Sequence, residues 1–172
     1  MSGSPFFVGA DPESFTVSPS GLHGYAMHSN SDVISGWPIN PTTGALNPTG
    51  SGYGATGRAP SSVTVMLDPV TGQQLIYVTN YLFNNITAFR GALTPVVGSP
   101  FPVFPANLPD SSAVDPTGRF LYVAGRSSSI SAFIINGTTG ELTQIAGSPF
   151  QAGAIPRAVT AVAVPIPGGN GP

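Results

Sequence analysis

Residues 110–147 read DSSAVDPTGRFLYVAGRSSSISAFIINGTTGELTQIAG, and this stretch decides the fold. It opens on a short strand, DSSAVDP, which runs into the turn Asp115-Pro116-Thr117-Gly118. Asp, Pro and Gly stand there at positions that type I turns favour. RFLYVAG is a second strand and SSISAFIIN a third. Gly137-Thr138-Thr139-Gly140 makes a hairpin connection to a fourth strand, ELTQIAG. β-branched and aromatic residues fill the runs, and Gly, Pro, Asn and Asp punctuate them. Helical periodicity is absent. Phe120, Tyr122 and Ala124 face one way, and Leu121 and Val123 face the other. In the next strand Ile130, Ala132 and Ile134 oppose Phe133 and Ile135. A sheet wet on one side alternates apolar with polar. This one is apolar on both faces and must be covered on both.

Moving outward, the pattern repeats. GSPF starts at Gly3, Gly98 and Gly147, and the first interval, 95, is close to twice the second, 49. A degenerate copy, SGYGATG at 51–57, fills the gap. Pro12, Pro60, Pro109 and Pro156 fall 48, 49 and 47 residues apart, and a second proline follows each, at Pro19, Pro69, Pro116 and Pro165. The unit before the quoted one reads SSVTVMLDP, LIYVTN, NITAFR, a shortened turn at Gly91, then LTPVVG. The first unit, SFTVSP, GYAMHSN, DVISGWPIN, PTTG and ALNPTG, is looser. PRAVTAVAVP begins one more. The expected units are about 3–50, 51–97 and 98–146, with a partial unit over 147–165 and a tail over 166–172. Small four-stranded sheets at a period of 40–50 residues are the blades of a β-propeller. The expected fold class is therefore all-β: three four-stranded antiparallel blades plus one extra strand.

IYVTN at 76–80 and LYVAG at 121–125, with DPTG, TTGEL and GSPF, resemble the YVTN-type β-propeller repeat. GSPF and the TG-x-L element are similar to the lactonase-like branch, which includes 6-phosphogluconolactonase and carboxymuconate-cyclase propellers. The resemblance implies blades of a ring that usually counts seven, roughly twice this length. Propellers close with about 4–8 blades, and this chain holds about 3.6 periods. The arc is expected to be either a fragment or a protomer completed by other copies. A dimer forming a closed or nearly closed ring is the first expectation, and an open head-to-tail polymer the second. Lactonases of the family are expected to gather His, Glu and Arg at one mouth. His23, His28, Glu13 and Glu141 match no such motif, so no catalytic residue is carried over.

Composition narrows the chemistry. Of 172 residues 41% are hydrophobic and only 7% charged, with 22 glycines and 19 prolines. All five basic residues are arginine, which excludes lysine Schiff-base chemistry and a P-loop lysine. With no cysteine, thiolate metal sites and cysteine nucleophiles are excluded as well. A net charge of −2 with scattered arginines argues against nucleic acid. No apolar run reaches the 18 or so residues of a membrane-spanning helix. MSGSPFFVGADPES lacks the basic and apolar regions of a signal peptide, which leaves open an exported parent whose leader was removed. No metal or cofactor site is assigned.

The ligand candidates are His28, Arg126, Tyr81 and Arg58. His23 and His28, five apart on one strand, point to opposite faces and make a poor metal pair. His28 is either a rim histidine or a general base. Arg126 and Arg58 either pair locally or bind an anion as a planar fork. Tyr81 opens the loop Tyr81-Leu82-Phe83-Asn84-Asn85, whose aromatics either pack between blades or stack on a sugar. Asp68 and Asp115 read as turn caps. The sequons at Asn85 and Asn136 read as coincidental. The expected function is a scaffold or binding module for a small molecule or carbohydrate. The alternatives are a lactone hydrolase using His28 and Arg126, and a self-assembling repeat protein or piece of a larger ring.

Overall fold

The structure is a computed structural model describing residues 5–47, 50, 52–68, 71–105 and 107–162. It is all-β, with no helix among these residues. Three antiparallel sheets follow one another along the chain. Sheet 1 comprises β1 (Ser14–Val17), β2 (His23–His28), β3 (Val33–Pro38) and β4 (Gly52–Ala55) in sequential order. In sheet 2, β5 (Pro60–Leu67), β6 (Gln74–Asn80), β7 (Asn85–Arg90) and β8 (Thr94–Pro95) repeat that order, and β9 (Phe101–Pro102) also pairs with β7. Sheet 3 has β10 (Pro109–Val114), β11 (Phe120–Gly125), β12 (Ser129–Ile135) and β13 (Leu142–Gln144), with β14 (Phe150–Gln151) on β12.

Strand registers correspond residue by residue between the three sheets. Tyr25, Tyr77 and Tyr122 oppose Gly36, Ala88 and Ala132. GSPF belongs to the outer strand of the sheet that precedes it. Phe101 pairs with Ile86, Phe150 with Ile130, and Gly54 of the degenerate copy with Ile34. The serine of GSPF fills a break in this ladder: Ser99 Oγ accepts from the Ala88 amide and Ser148 Oγ from the Ala132 amide, both at 2.9 Å. The Ser99–Pro100 and Ser148–Pro149 peptides are cis. Gly3, Pro69, Pro165 and residues 166–172 lie outside the described residues.

Two sequence expectations shift. The fourth strand of the first sheet is not ALNPTG, of which Leu46 makes a single bridge to Ile39. It is Gly52–Ala55, because that segment occupies the GSPF register. The extra strand expected after Pro156 forms no ladder through Val162. An inner strand needs the second strand of its own sheet to pair with, and none follows within the described residues. Val159 instead donates its amide to Ser111 Oγ at 3.3 Å.

Both faces of sheet 2 are covered, as the doubly apolar strands require. Tyr25, Met27, Ile34, Ile76, Val78 and Phe89 form the core between sheets 1 and 2. Leu75, Tyr77 and Ile86 meet Leu121, Val123 and Phe133 between sheets 2 and 3. Each such side chain contributes about 1.5–3 kcal/mol when fully buried.

Candidate functional site at one rim

The loops that follow the second strand of each sheet, and those that lead into each inner strand, share one rim. Its backbone is unusual. The residue before each conserved-spacing proline has positive φ: Asp11 (48°), Ala59 (53°), Leu108 (48°) and Ile155 (50°). A residue in each second-to-third-strand loop does too: Asp32 (54°), Asn84 (49°) and Ser128 (59°). Left-handed geometry is uncommon outside glycine and costs of order 1–3 kcal/mol per residue when imposed. The two sets lock together. Asp32 Oδ1 accepts from the Ala59 amide at 2.9 Å, Asn84 Oδ1 from Leu108 at 2.8 Å and Ser128 Oγ from Ile155 at 3.4 Å. Among the described non-glycine residues, only Leu93 has positive φ away from this rim.

Below the rim each sheet buries a polar plug. His28, Asn80 and Asn107 are nearly inaccessible. Asn80 Oδ1 accepts from the Gly57 amide at 3.0 Å, and its Nδ2 donates to Thr87 Oγ1 at 2.9 Å. Asn107 Nδ2 donates to Ser131 Oγ at 3.2 Å, and its Oδ1 accepts from Ser129 Oγ at 2.7 Å. Asn107 fits only because Gly125 lacks a side chain; a Cβ there would lie 2.0 Å from Asn107 Oδ1. The hydroxyls Ser35, Thr87 and Ser131 recur at one register position. These plugs were not legible in the sequence, since they join residues that are unremarkable one at a time. The recurring hydroxyl, two residues after each third strand begins, was the available signal.

His28 is therefore turned inward. Its Nδ1 donates to the Ala10 carbonyl at 2.8 Å, and its Nε2 accepts from Ser35 Oγ at 2.9 Å. Ser35 Oγ in turn accepts from Trp37 Nε1 at 2.9 Å. Both nitrogens are engaged, and 2% of the residue is exposed.

Arg126, Tyr81 and Arg58 do lie in adjoining rim loops. Arg126 grips Asp110 with both ends of its fork, Nε to Oδ2 at 3.1 Å and Nη2 to Oδ1 at 3.0 Å. This hydrogen bonding to Asp110 raises the guanidinium pKa above its ordinary value. The Arg126 guanidinium also stands 4.6 Å over the Tyr81 ring. The Tyr81 amide donates to the Ala59 carbonyl and the Leu82 amide to the Arg58 carbonyl, at 2.9 and 3.3 Å. Arg58, Leu82 and Phe83 are exposed around this stacked pair. The cluster presents an aromatic ring held flat, a neutralised guanidinium and an open cationic side chain.

No family model matches this chain, and no curated protein does. Solved structures do. A functionally unknown protein from Desulfotomaculum acetoxidans superposes with a TM-score of 0.72 at 20% identity, covering 86% of this chain and 44% of that one. A Bacteroides fragilis protein provisionally named a 6-phosphogluconolactonase gives 0.67 at 21% identity, with 86% and 40% covered. The periplasmic gluconolactonase of Pseudomonas aeruginosa gives 0.65 at 19% identity, with 84% and 40% covered. The chain thus spans about two fifths of the length of these structures. Its three sheets have the lactonase-like β-propeller fold.

Proposed function

We propose that this chain is a β-propeller binding module that holds a small polar ligand or carbohydrate at the rim carrying Tyr81, Arg126 and Arg58. The repeated left-handed pairs on that rim carry the reading. Strain locked by side-chain hydrogen bonds preorganises loops for contact, and such strain clusters at ligand-binding positions. The Asp110 partner neutralises Arg126, which suits a hydroxylated ligand stacking on the aromatic loop better than a strong anion. Lactone hydrolysis through His28 has less support, because the imidazole offers no accessible base. The test is titration of isotopically labelled protein with cellobiose and with gluconate. Saturable shifts at Arg126 Nε and the amides of residues 81–85 are expected, and Tyr81→Ala should weaken them at least tenfold. If those signals stay unmoved by both sugars, the reading fails.

The outward face of sheet 3 supports self-association. Phe120, Tyr122, Ile130 and Ala132 occupy the registers of Leu75, Tyr77, Ile86 and Ala88, which sheet 3 itself covers in sheet 2. Ile134 and Phe150 stand 49% and 48% exposed beside them. The partner proposed is a second copy of this chain, completing more of the ring. Light scattering should give a multiple of 17.4 kDa that Ile134→Glu returns to the single-chain mass. A wild-type monomer at that mass would refute the pairing.

A further inference from the structure

The opposite rim departs from the repeat at one place, between sheets 1 and 2. The turn after the third strand is NPTTGA over 40–45 in sheet 1, closed by the Ile39–Leu46 bridge, and NGTTGE over 136–141 in sheet 3, leading into β13. Both turns close alike. The Asn40 amide donates to the Ala45 carbonyl and the Asn136 amide to Glu141, each at 2.9 Å. In sheet 2 only Gly91, Ala92 and Leu93 separate the paired residues Arg90 and Thr94. Leu93 takes φ 63° in this short turn and is the described non-glycine residue of positive φ that lies off the other rim.

The long turn of sheet 3 has a packing role that the short turn of sheet 2 cannot perform. Gly140 closes over sheet 2: its carbonyl accepts from Tyr77 Oη at 3.0 Å, and a Cβ there would come within 2.7 Å of Leu75 Cδ2. The registers that match Leu75 and Tyr77 in sheet 1 are His23 and Tyr25. The short turn of sheet 2 edges this place without filling it: Leu93 joins the core around Tyr25, and a cleft of about 280 Å³ remains, lined by His23, Tyr25, Gln73 and Gln74 with Gly72, Gly91 and Ala92. A Cβ at Gly72 or Gly91 would meet nothing within 4 Å.

The polar groups of this cleft are ordered in one direction. Tyr25 Oη donates to Gln74 Oε1. Gln74 Nε2 donates to His23 Nδ1 at 2.8 Å. Because the amide can only donate, the neutral imidazole carries its proton on Nε2 and keeps a donor free of this chain. Burial holds the Tyr25 phenol up at about 12, so it stays a donor throughout the ordinary pH range. A histidine thus stands where sheets 2 and 3 place the apolar Leu75 and Phe120, at the position where the covering turn is shortened.

We infer that the His23–Gln74–Tyr25 cleft is a second binding site, built for a neutral polyhydroxylated molecule of one sugar ring in size. The lining holds no carboxylate, lysine or arginine, so an ion entering would exchange its hydration for groups without a permanent counter-charge. Imidazole, side-chain amides and exposed glycine backbone instead offer dispersed donors and acceptors, which hydroxyl groups match. The volume falls just under the roughly 300–1,000 Å³ of pockets for drug-sized ligands, which sets the single-ring size.

The experiment is titration of labelled full chain with D-glucose, read at the Gln74 side-chain amide and the His23 imidazole, with gluconate as the anionic control. Glucose should shift both signals saturably, and at least tenfold more tightly than gluconate. His23→Leu supplies the side chain that sheet 2 carries at this register and should weaken glucose at least tenfold. Replacing residues 91–93 with NGTTGE should fill the cleft and do the same, while amides of sheet 3 keep their positions. Should the graft fail to fold, His23→Leu decides alone. Unmoved signals, tighter gluconate binding, or shifts that survive in a folded variant would each overturn the inference. The rim site of Tyr81 and Arg126 reports through separate signals, so either site can fail independently.

Discussion

Sheets 1 and 3 flank sheet 2, yet their faces turned away from it differ. Sheet 1 turns its outward face to its own chain. At the registers where sheets 2 and 3 place Ile76, Val78, Leu121 and Val123, it has Gly24 and Ala26. The Phe15 ring fills the hollow over Gly24, where a Cβ would lie 2.1 Å from its Cζ. Residues 9 and 10 lie against His28, and Ala26, Ser35 and Trp37 on the same face are buried although no sheet covers them. Sheet 3 keeps the full-sized side chains of a sheet that expects a neighbour, and they remain partly bare. One end is thinned and self-covered, and the other is left apolar. Terminal repeats of stacked proteins commonly carry such atypical faces. The asymmetry weighs against simple head-to-tail stacking, since a partner on sheet 1 would have to displace the segment His28 holds.

The sharpest way to break this comparison uses two neighbours on β12. Phe133 is 1% exposed in the core shared with sheet 2, whereas Ile134 is 49% exposed on the bare face. Phe133→Ala should cost about 3–5 kcal/mol. Ile134→Ala, measured in the monomer, should stay within about 1 kcal/mol, because little is buried there. Urea unfolding followed by tryptophan fluorescence of Trp37 reports both. Equal losses would mean that the outward face is covered within a single chain, and the contrast between the ends would disappear.

A second substitution tests the thinned end. Gly24→Leu gives sheet 1 the kind of side chain its counterparts carry, but the Phe15 ring already occupies the space. Overpacking of this kind costs about 1–3 kcal/mol. Combining it with Phe15→Ala should recover part of that loss, since the new leucine then takes the vacated volume. A double substitution that is worse than additive would show that Phe15 does not fill the hollow.

How much of this was legible follows from what carries each feature. Sheet count and strand order were readable because doubly apolar runs such as FLYVA and turn residues such as DPTG act locally. GSPF was visible as a marker, but its attachment to the preceding sheet was not, because register is a pairing property that the spacing of 49 cannot report. Tyr81, Arg126 and Arg58 were readable as loop residues; their meeting depends on the left-handed bends at Ala59 and Leu108, which no residue type announces. The partners of His28 were not readable, since a histidine at a strand end looks like a rim group until Ser35 and Ala10 are placed beside it. The shortened turn at Gly91 was visible in the sequence, but the cleft it leaves was not, because Gly140 covers Tyr77 from sixty-three residues away.

The smallest expected effect distinguishes the ends by pH. The turn after the inner strand closes alike in both: Ser18 N donates to the His23 carbonyl at 2.8 Å, and Asp115 N to the Phe120 carbonyl at 2.9 Å. The side chains differ. Ser18 Oγ accepts from the His23 amide at 3.2 Å, while Asp115 Oδ1 accepts from the Phe120 amide at 2.7 Å and from Arg119 at 2.8 Å. Burial pulls the Asp115 pKa upward, but hydrogen bonds from Thr117, Phe120 and Arg119 outweigh it, and the net shift is downward. A depressed folded value means the carboxylate favours the native state. Its contribution is complete above the ordinary value of 3.8 and is lost as the pH falls through the lower folded value. The uncharged Ser18 has no such dependence. Hydrogen exchange should therefore show the Phe120 amide losing protection in acid before the His23 amide does, and Asp115→Asn should remove the difference in pH response. Parallel loss at both amides would mean that acid acts through the whole arc, with no separate contribution from the turn of sheet 3.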